Sequence, residues 1–547
     1  MTIKYTKEQL NKFDKDLLIE LFLGMQGQME ELSRQTQALN DRMQLMMEQM
    51  VLFQKNRFGR SSEKMADSEQ IRFMEVDGTI VFFNEAEAVC DLDAPEPDDL
   101  ELKAPKKKKQ PGKKAADIAG LTVKRIDHYL KEEELTAEFG ENGWKQLPDA
   151  ISRCYQFIPA SVVIEEHHIG VYSSKLDEHM IKAPHPRNLL HGSLVSPSLA
   201  AAVINGKYVN AVPLYRLEKE FERYGLAITR QNMANWMIRL GEEYLGTMYD
   251  YLHKLLYDYH VIQADETPVL VNKDGRPAGS QSYMWVYRSG FMYRDRQIIL
   301  YEYQKTRNAS HPRKFLRDYT GICVTDGYQV YHTLEKEREN LKIAGCWVHC
   351  RRRFNDALEV IPKAHRKESI LHLIMKQIQA IYREEGKLSD FSTEDRLMQR
   401  QLVVKPLVDA FFAYLKQNEP KIPKNGKIRE AFTYALNQES YLKVFLEDGD
   451  VPIDNNASER AIRGFCIGKK NWEMIDTVNG ANSSAIIYSI AETAKANNLK
   501  PFDYFEYLLT EIPKHVDDKN TDFLAELLPW SDMLPENIRK PQKASGK

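Results

Sequence analysis

The chain has 547 residues, 43% of them hydrophobic and 28% charged, with a net charge of −3. So long a chain exceeds one core, its near-neutral balance excludes a polycation, and no run nears the ~20 apolar residues of a membrane span. Six cysteines without regular pairing and a polar opening, MTIKYTKEQLNKFDKD, predict a cytoplasmic protein without a signal peptide.

Within residues 15–60, Phe22, Met25, Met29, Leu32, Thr36, Leu39, Met43, Met46, Met50 and Phe53 recur at alternating spacings of three and four. That is a heptad seam, and it predicts a coiled-coil helix that pairs copies of the chain. Residues 65–125 read as a linker whose charge switches sign. Asp91 to Glu101 holds six acids and no base, and Lys103 to Arg125 holds nine bases and one acid. Like-charge blocks with Pro105, Pro111 and Gly112 resist packing, so this is a solvated tail or a basic arm for DNA phosphates.

Residues 126–190 predict a small mixed domain with a strand over Ala160 to Val171. His167, His168 and Cys154 lack the paired spacing of a zinc site. Residues 195–257 are helical. Leu214, Leu217 and Phe221 share one helix face, Tyr224-Gly225 ends it, and Thr229 is placed to cap a second helix. The pair is a structural hairpin or a helix-turn-helix that presents Arg230, Gln231, Asn232 and Asn235 to base edges.

Residues 258–355 change pattern. HVIQADETPVLV, SYMWVYRSG and QIILYEY read as three strands, HPRKFLRDY as a helix, GICVTDGY as a fourth strand and LKIAGCWVHC as a fifth that enters a helix. Three strands, helix, strand, helix, strand is the order of a ribonuclease-H-like sheet. Its first and fourth strands are neighbours, which brings Asp265 towards Asp326. Residues 356–450 are helical, with Ile370, Leu371, Ile374, Ile378 and Ile381 at helical spacing, and form an insertion. Residues 451–480 then carry DNNASERAIRGFCIGKKNW, in which Glu459 and Arg463 share a helix face and Arg460, Lys469 and Lys470 add cations for a phosphate backbone. Residues 481–530 form a C-terminal helical segment.

Carboxylates inside apolar strands are costly without a partner or a metal. Asp265, Asp326 and Glu459 meeting at one point would repel one another unless a divalent cation intervened, and hard oxygen ligands suit Mg²⁺ or Mn²⁺. Two such ions suit phosphodiester displacement. Glu266 is the rival ligand, but strand alternation points it away from Asp265. Cys346, His349 and Cys350 fall short of a zinc set, and His349 with Arg351, Arg352 and Arg353 reads as a basic edge that meets phosphate.

Four motifs, ADETPV, TDGY, GCWVHCRRRF and DNNASERAIRGFCIGKKNW, resemble those of the insertion-sequence-66 family of DDE transposases. FGRSSEK, KKQPGKK, KYVNAVPLYRLEKEF and IAETAKANNLKPFDYFEYLL extend the likeness over most of the chain. The resemblance implies an α/β, multidomain protein. Its ribonuclease-H-like core holds an all-helical insertion and follows an N-terminal coiled coil and a helical DNA-binding region. It also implies a catalytic and metal-binding triad of Asp265, Asp326 and Glu459, with Mg²⁺ or Mn²⁺ as cofactor. The activity implied is cleavage at element ends and strand transfer into target DNA, with small accessory proteins as further partners. The family's cysteine-rich zinc segment is reduced here to Cys154, so zinc is not expected. The alternatives are a DNA nuclease of the same fold without strand transfer and a non-catalytic DNA-binding descendant.

Overall fold

The computed structural model describes residues 187–541 except 278 and 519. Before them it describes only residues 73–76, 79–82, 160–173, 180–184 and a few between 131 and 140. The expected coiled coil of 15–60, Cys154, and the charged arm apart from a short antiparallel pair (Phe73–Val76 with Thr79–Phe82) lie outside the described residues. Residues 160–170 are irregular rather than a strand. Only Val171–Ser173 pairs, antiparallel, with Met180–Lys182, and both segments are exposed where described. The β-branched run that suggested a strand finds no apolar face to cover, and Val163 and Ile164 are exposed.

The chain divides into two compact units. One lies within Asp93–Met248, Lys470–Trp472 and Ala491–Lys547. Its first helix, α1 (Pro197–Ile204), is capped by Ser196, which accepts from Leu199 N at 3.2 Å. Helix α2 (Leu214–Arg223) buries Leu217 and Phe221 and stops at Tyr224-Gly225, where Gly225 takes φ +82°. Helix α3 (Arg230–Leu240) starts at Thr229, whose hydroxyl accepts from Asn232 N at 3.2 Å. The far end of the chain returns to this unit, where α15 (Pro501–Glu511) packs on α1 and buries Tyr504, Phe505 and Leu508.

The other unit comprises Tyr249–Lys469 and Glu473–Ile490 among the described residues. Its sheet is built from β1 (Val261–Lys273), β2 (Gln281–Ser289), β3 (Ile299–Gln304), β4 (Gly321–Thr325) and β5 (Leu341–Gly345) in the order β3-β2-β1-β4-β5. The first three strands run antiparallel and β1, β4 and β5 run parallel. A short β6 (Ile475–Thr477) extends the far end of β1 in parallel register. This is a mixed sheet flanked by helices, consistent with a ribonuclease-H-like α/β fold with helical insertions.

After β5 come α7 (Trp347–Val360) and the helical insertion, whose main members are α8 (Ile370–Gly386), α10 (Lys405–Asn418) and α11 (Lys427–Asn437). Leu371, Ile374, Ile378 and Ile381 are fully buried along one stripe of α8, each worth roughly 1.5–3 kcal/mol of burial. Trp347 anchors the insertion to the sheet. Its ring lies 5.3 Å from Phe411, its indole donates to Leu442 O at 2.8 Å, and its amide donates to Ile453 O at 3.1 Å. Helix α13 (Asn456–Trp472) then returns across the sheet and buries Ala457, Ala461, Ile462 and Phe465.

Candidate active site

Asp265 sits in the middle of β1, opposite Val286 of β2. Gln263 pairs with Val324 of β4, and continuing that register by two brings Asp265 level with Asp326, the residue just past β4. The Asp326 carboxylate accepts from Tyr328 N at 2.9 Å, in a turn where Gly327 takes φ +91°. Glu459 lies in the first turn of α13, where a helix N-terminus favours an anion.

The start of α13 is clamped to β1. Asn455, fully buried, donates to Ala264 O at 2.8 Å and accepts from Gln263 Nε2 at 3.1 Å. Its amide N–H donates to Cys346 Sγ at 3.2 Å. Further along, Arg288 donates to Ala457 O and Tyr301 to Ala461 O. Acids from three distant chain segments are thereby brought within electrostatic reach. Burial pushes the Asp265 carboxyl well above the usual range, and the charges of Glu266, Asp326 and Glu459 push it the same way.

Glu266 does not simply turn away into the sheet. Its side chain is 2% exposed and accepts from Arg307 Nε at 2.7 Å, while Arg307 lies 4.0 Å from Asp326 and stacks over Tyr328 at 3.8 Å. Burial and the Asp326 charge raise Glu266 to about 7 despite Arg307. At Glu459, Arg352 Nη2 stands 3.5 Å and His349 Nδ1 3.9 Å from the carboxylate. The basic edge expected from His349 and Arg352 therefore faces the acids directly. Burial lowers the His349 pKa, so the imidazole is held towards its neutral form.

Four carboxyls in one electrostatic neighbourhood are thus matched by two guanidiniums, Arg307 and Arg352. Glu266 Oε2, Glu459 Oε1 and His349 Nδ1 are buried without a hydrogen-bond partner. Buried acceptors left unpaired, and neighbouring acids that resist ionisation through burial and mutual repulsion, fit a divalent cation.

Among the described residues, the set of three whose ligand atoms lie within 4.8 Å of one another is Cys346, His349 and Glu459, not the three acids. Spacing had left Cys346 and His349 short of a ligand set, and the fold supplies Glu459 from a distant helix. The Cys346 thiol is fully buried and pushed up to about 12 by burial, so it stays protonated and suits a hard cation poorly.

The other expected contact residues are placed as follows. Arg460 and Arg463 are exposed on α13, with Arg460 5.5 Å from the Phe291 ring. Lys469 donates to Pro268 O at 2.6 Å and so ties the end of α13 to β1, while Lys470 is exposed. Arg351 is exposed beside Tyr382. In the other unit Arg230, Gln231, Asn232 and Asn235 are all exposed on α3, with Gln231 donating to Asn235 at 3.3 Å.

A mixed sheet of this strand order, with one acid in the middle of its first strand and another just past its fourth, is consistent with the ribonuclease-H-like class. Comparison with known families narrows this: residues 192–483 match the model described as Transposase IS66 family, 489–530 its IS66 C-terminal element, and 45–126 the Transposase C of IS166 homeodomain. The chain belongs to the IS66 family of DDE transposases, which supports DNA-modifying enzymatic activity at the family level. It is similar to three uncharacterized proteins of Sinorhizobium fredii (strain NBRC 101917 / NGR234). It is 28% identical to y4qI over 66% of this chain and 67% of that one. It is 24% identical to y4jD over 76% and 82%, and 22% identical to y4hP over 72% of each. Among the described residues no helix is long and apolar enough to cross a membrane.

Proposed function

We propose that this transposase cleaves DNA at the ends of its element and joins them to target DNA, with Asp265, Asp326 and Glu459 holding Mg²⁺ or Mn²⁺. The observation that carries the reading is geometric: the β1–β4 register sets Asp265 level with Asp326, and buried Asn455 ties the start of α13, which carries Glu459, to the residue before Asp265. Asp265, Asp326 and Glu459 would hold the divalent ion, which would supply Lewis-acid chemistry for phosphodiester displacement. The chain's own groups orient the reactants. Arg352 and His349 hold the Glu459 side of the pocket and Arg307 the Glu266 side. Arg460, Arg463, Lys470 and Arg351 are exposed, which supports phosphate contacts for them, and the exposure of Arg230, Gln231 and Asn232 supports contacts to base edges. The N-terminal heptads would pair two copies so that two DNA ends react together, and accessory proteins of the element would join them.

The gathering of Cys346, His349 and Glu459 favours a second reading, in which a transition metal sits there. The test is incubation of the protein with labelled element ends and Mn²⁺. The proposal expects nicked and joined products, their loss by at least ~10³-fold in Glu459→Gln, and retained DNA binding. Nicked products without joined ones would indicate the nuclease alternative. Unchanged cleavage in Glu459→Gln would reject the triad.

A further inference from the structure

The helical insertion carries a groove of about 510 Å³ whose lining includes Arg353, Lys424, Asn425, Thr433 and Gln438. A second hollow of about 620 Å³ shares Lys424 with it and adds Lys421. Lys421 and Lys424 are exposed and form no ion pair among the described residues, whereas Glu430 on the groove wall is taken by Lys427 at 2.8 Å. Helix α11 begins at this groove with Gly426 at φ +99° as its N-cap and no capping side chain. Its first-turn N–H groups therefore face the groove uncapped.

Gln438 lines the other end of the groove, at the C-terminus of α11. It is 8% exposed, and its Oε1 has no hydrogen-bond partner. That oxygen lies against Gly327, so the amide nitrogen is the part of Gln438 left to donate to a phosphate oxygen.

The groove also leads to the acids. Tyr434 on its wall donates to the Asp326 carbonyl at 2.9 Å, and a Cβ on Gly327 would meet the Tyr434 hydroxyl at 2.9 Å and Gln438 Oε1 at 3.2 Å. Arg353 lies over the Tyr434 ring at 4.4 Å, one residue beyond Arg352, which faces Glu459. A strand whose reacting phosphate sits at the acids would lay its neighbouring phosphates along this path.

We infer that the groove is a DNA-backbone track through which the helical insertion holds the strand leading away from the reacting phosphodiester. The inference rests on the proposed DNA-cleaving role of the neighbouring acids. Its test reads binding of a labelled duplex by the full chain in EDTA, where no chemistry occurs. The double variant Lys421→Ala/Lys424→Ala should bind about tenfold or more weakly near ~0.1 M salt, and the slope of log affinity against log salt should fall by about two. Gln438→Leu should melt no lower than wild type yet bind more weakly, a pairing of effects that a structural role would not give. The control Lys367→Ala/Lys376→Ala, exposed elsewhere on the insertion, should bind as wild type. Groove variants with wild-type affinity and slope, or controls that weaken binding equally, overturn the track. Weakened groove binding beside normal cleavage by Glu459→Gln would instead retain the track and reject the triad.

Discussion

The Asn455 side chain donates to the carbonyl of Ala264 at 2.8 Å, which ties the residue before Asp265 to the residue four before Glu459. The same amide accepts from Gln263, so β1 and the start of α13 are held by one buried group. Asn455→Ala leaves Ala264 O without this bond in the core, while Gln263 Nε2 keeps its bond to Asp454 O at 3.3 Å. At roughly 1–3 kcal/mol for one orphaned group, thermal or urea unfolding should report a loss of about 1–3 kcal/mol. Cleavage should fall further than DNA binding, since Glu459 loses its anchor. A variant as stable as wild type would show that the helix is positioned by its apolar face alone.

Arg307 compensates the acids on the other side. It is bonded to Glu266 and lies 4.0 Å from Asp326. In Arg307→Ala the Glu266 carboxyl loses the group that lowers its pKa and rises further above about 7. The variant should melt lower than wild type in EDTA and gain more from added Mn²⁺, because a divalent ion replaces the missing positive charge. Equal Mn²⁺-induced shifts in the two proteins would remove Arg307 from the electrostatics of the site.

The strands were legible because each apolar run is bounded by turn residues, and Asp265 and Asp326 stand out as carboxylates inside or at the end of such runs. The helix break at Tyr224-Gly225 and the Thr229 cap were legible for the same local reason: capping chemistry lies within three or four residues. Contacts made by docking were not. Spacing carries no sign that α13 would set Glu459 beside Cys346 and His349, since Asn455 and the Trp347–Ile453 bond fix that approach. The Glu266–Arg307 pair was hidden likewise, because Arg307 follows β3 and reaches back across the sheet. The packing of α15 on α1 joins residues about 300 positions apart by apolar faces that could have served any partner.

Cys346 separates the two metal readings. Its sulfur accepts the Asn455 N–H, and its buried thiol holds its proton up to about pH 12. If the acids hold Mg²⁺ or Mn²⁺, Cys346→Ala should fold, cost about 1–2 kcal/mol for the lost packing and bond, and keep cleavage within about tenfold of wild type. If a transition metal sits on Cys346, His349 and Glu459, the same variant should lose that metal in elemental analysis and lose activity with it.

Glu302 makes a pH prediction away from the acids. Burial raises this β3 carboxyl to about 7, Gln304 donates to its Oε1 at 2.7 Å, and its Oε2 is unpaired. In the unfolded chain the group ionises near pH ~4.3. Between that pH and about 7 the folded state binds the extra proton, so stability falls as pH rises and levels off above about 7. Glu302→Gln keeps an acceptor for Gln304 and has no charge to bury. It should match wild type near pH ~4, at or below the unfolded pKa, and exceed it at pH 8 by up to ~3 kcal/mol, the equivalent of its raised pKa. Unfolding curves at the two pH values decide the matter, and a constant difference between the proteins would mean that Glu302 is ionised in the fold at both.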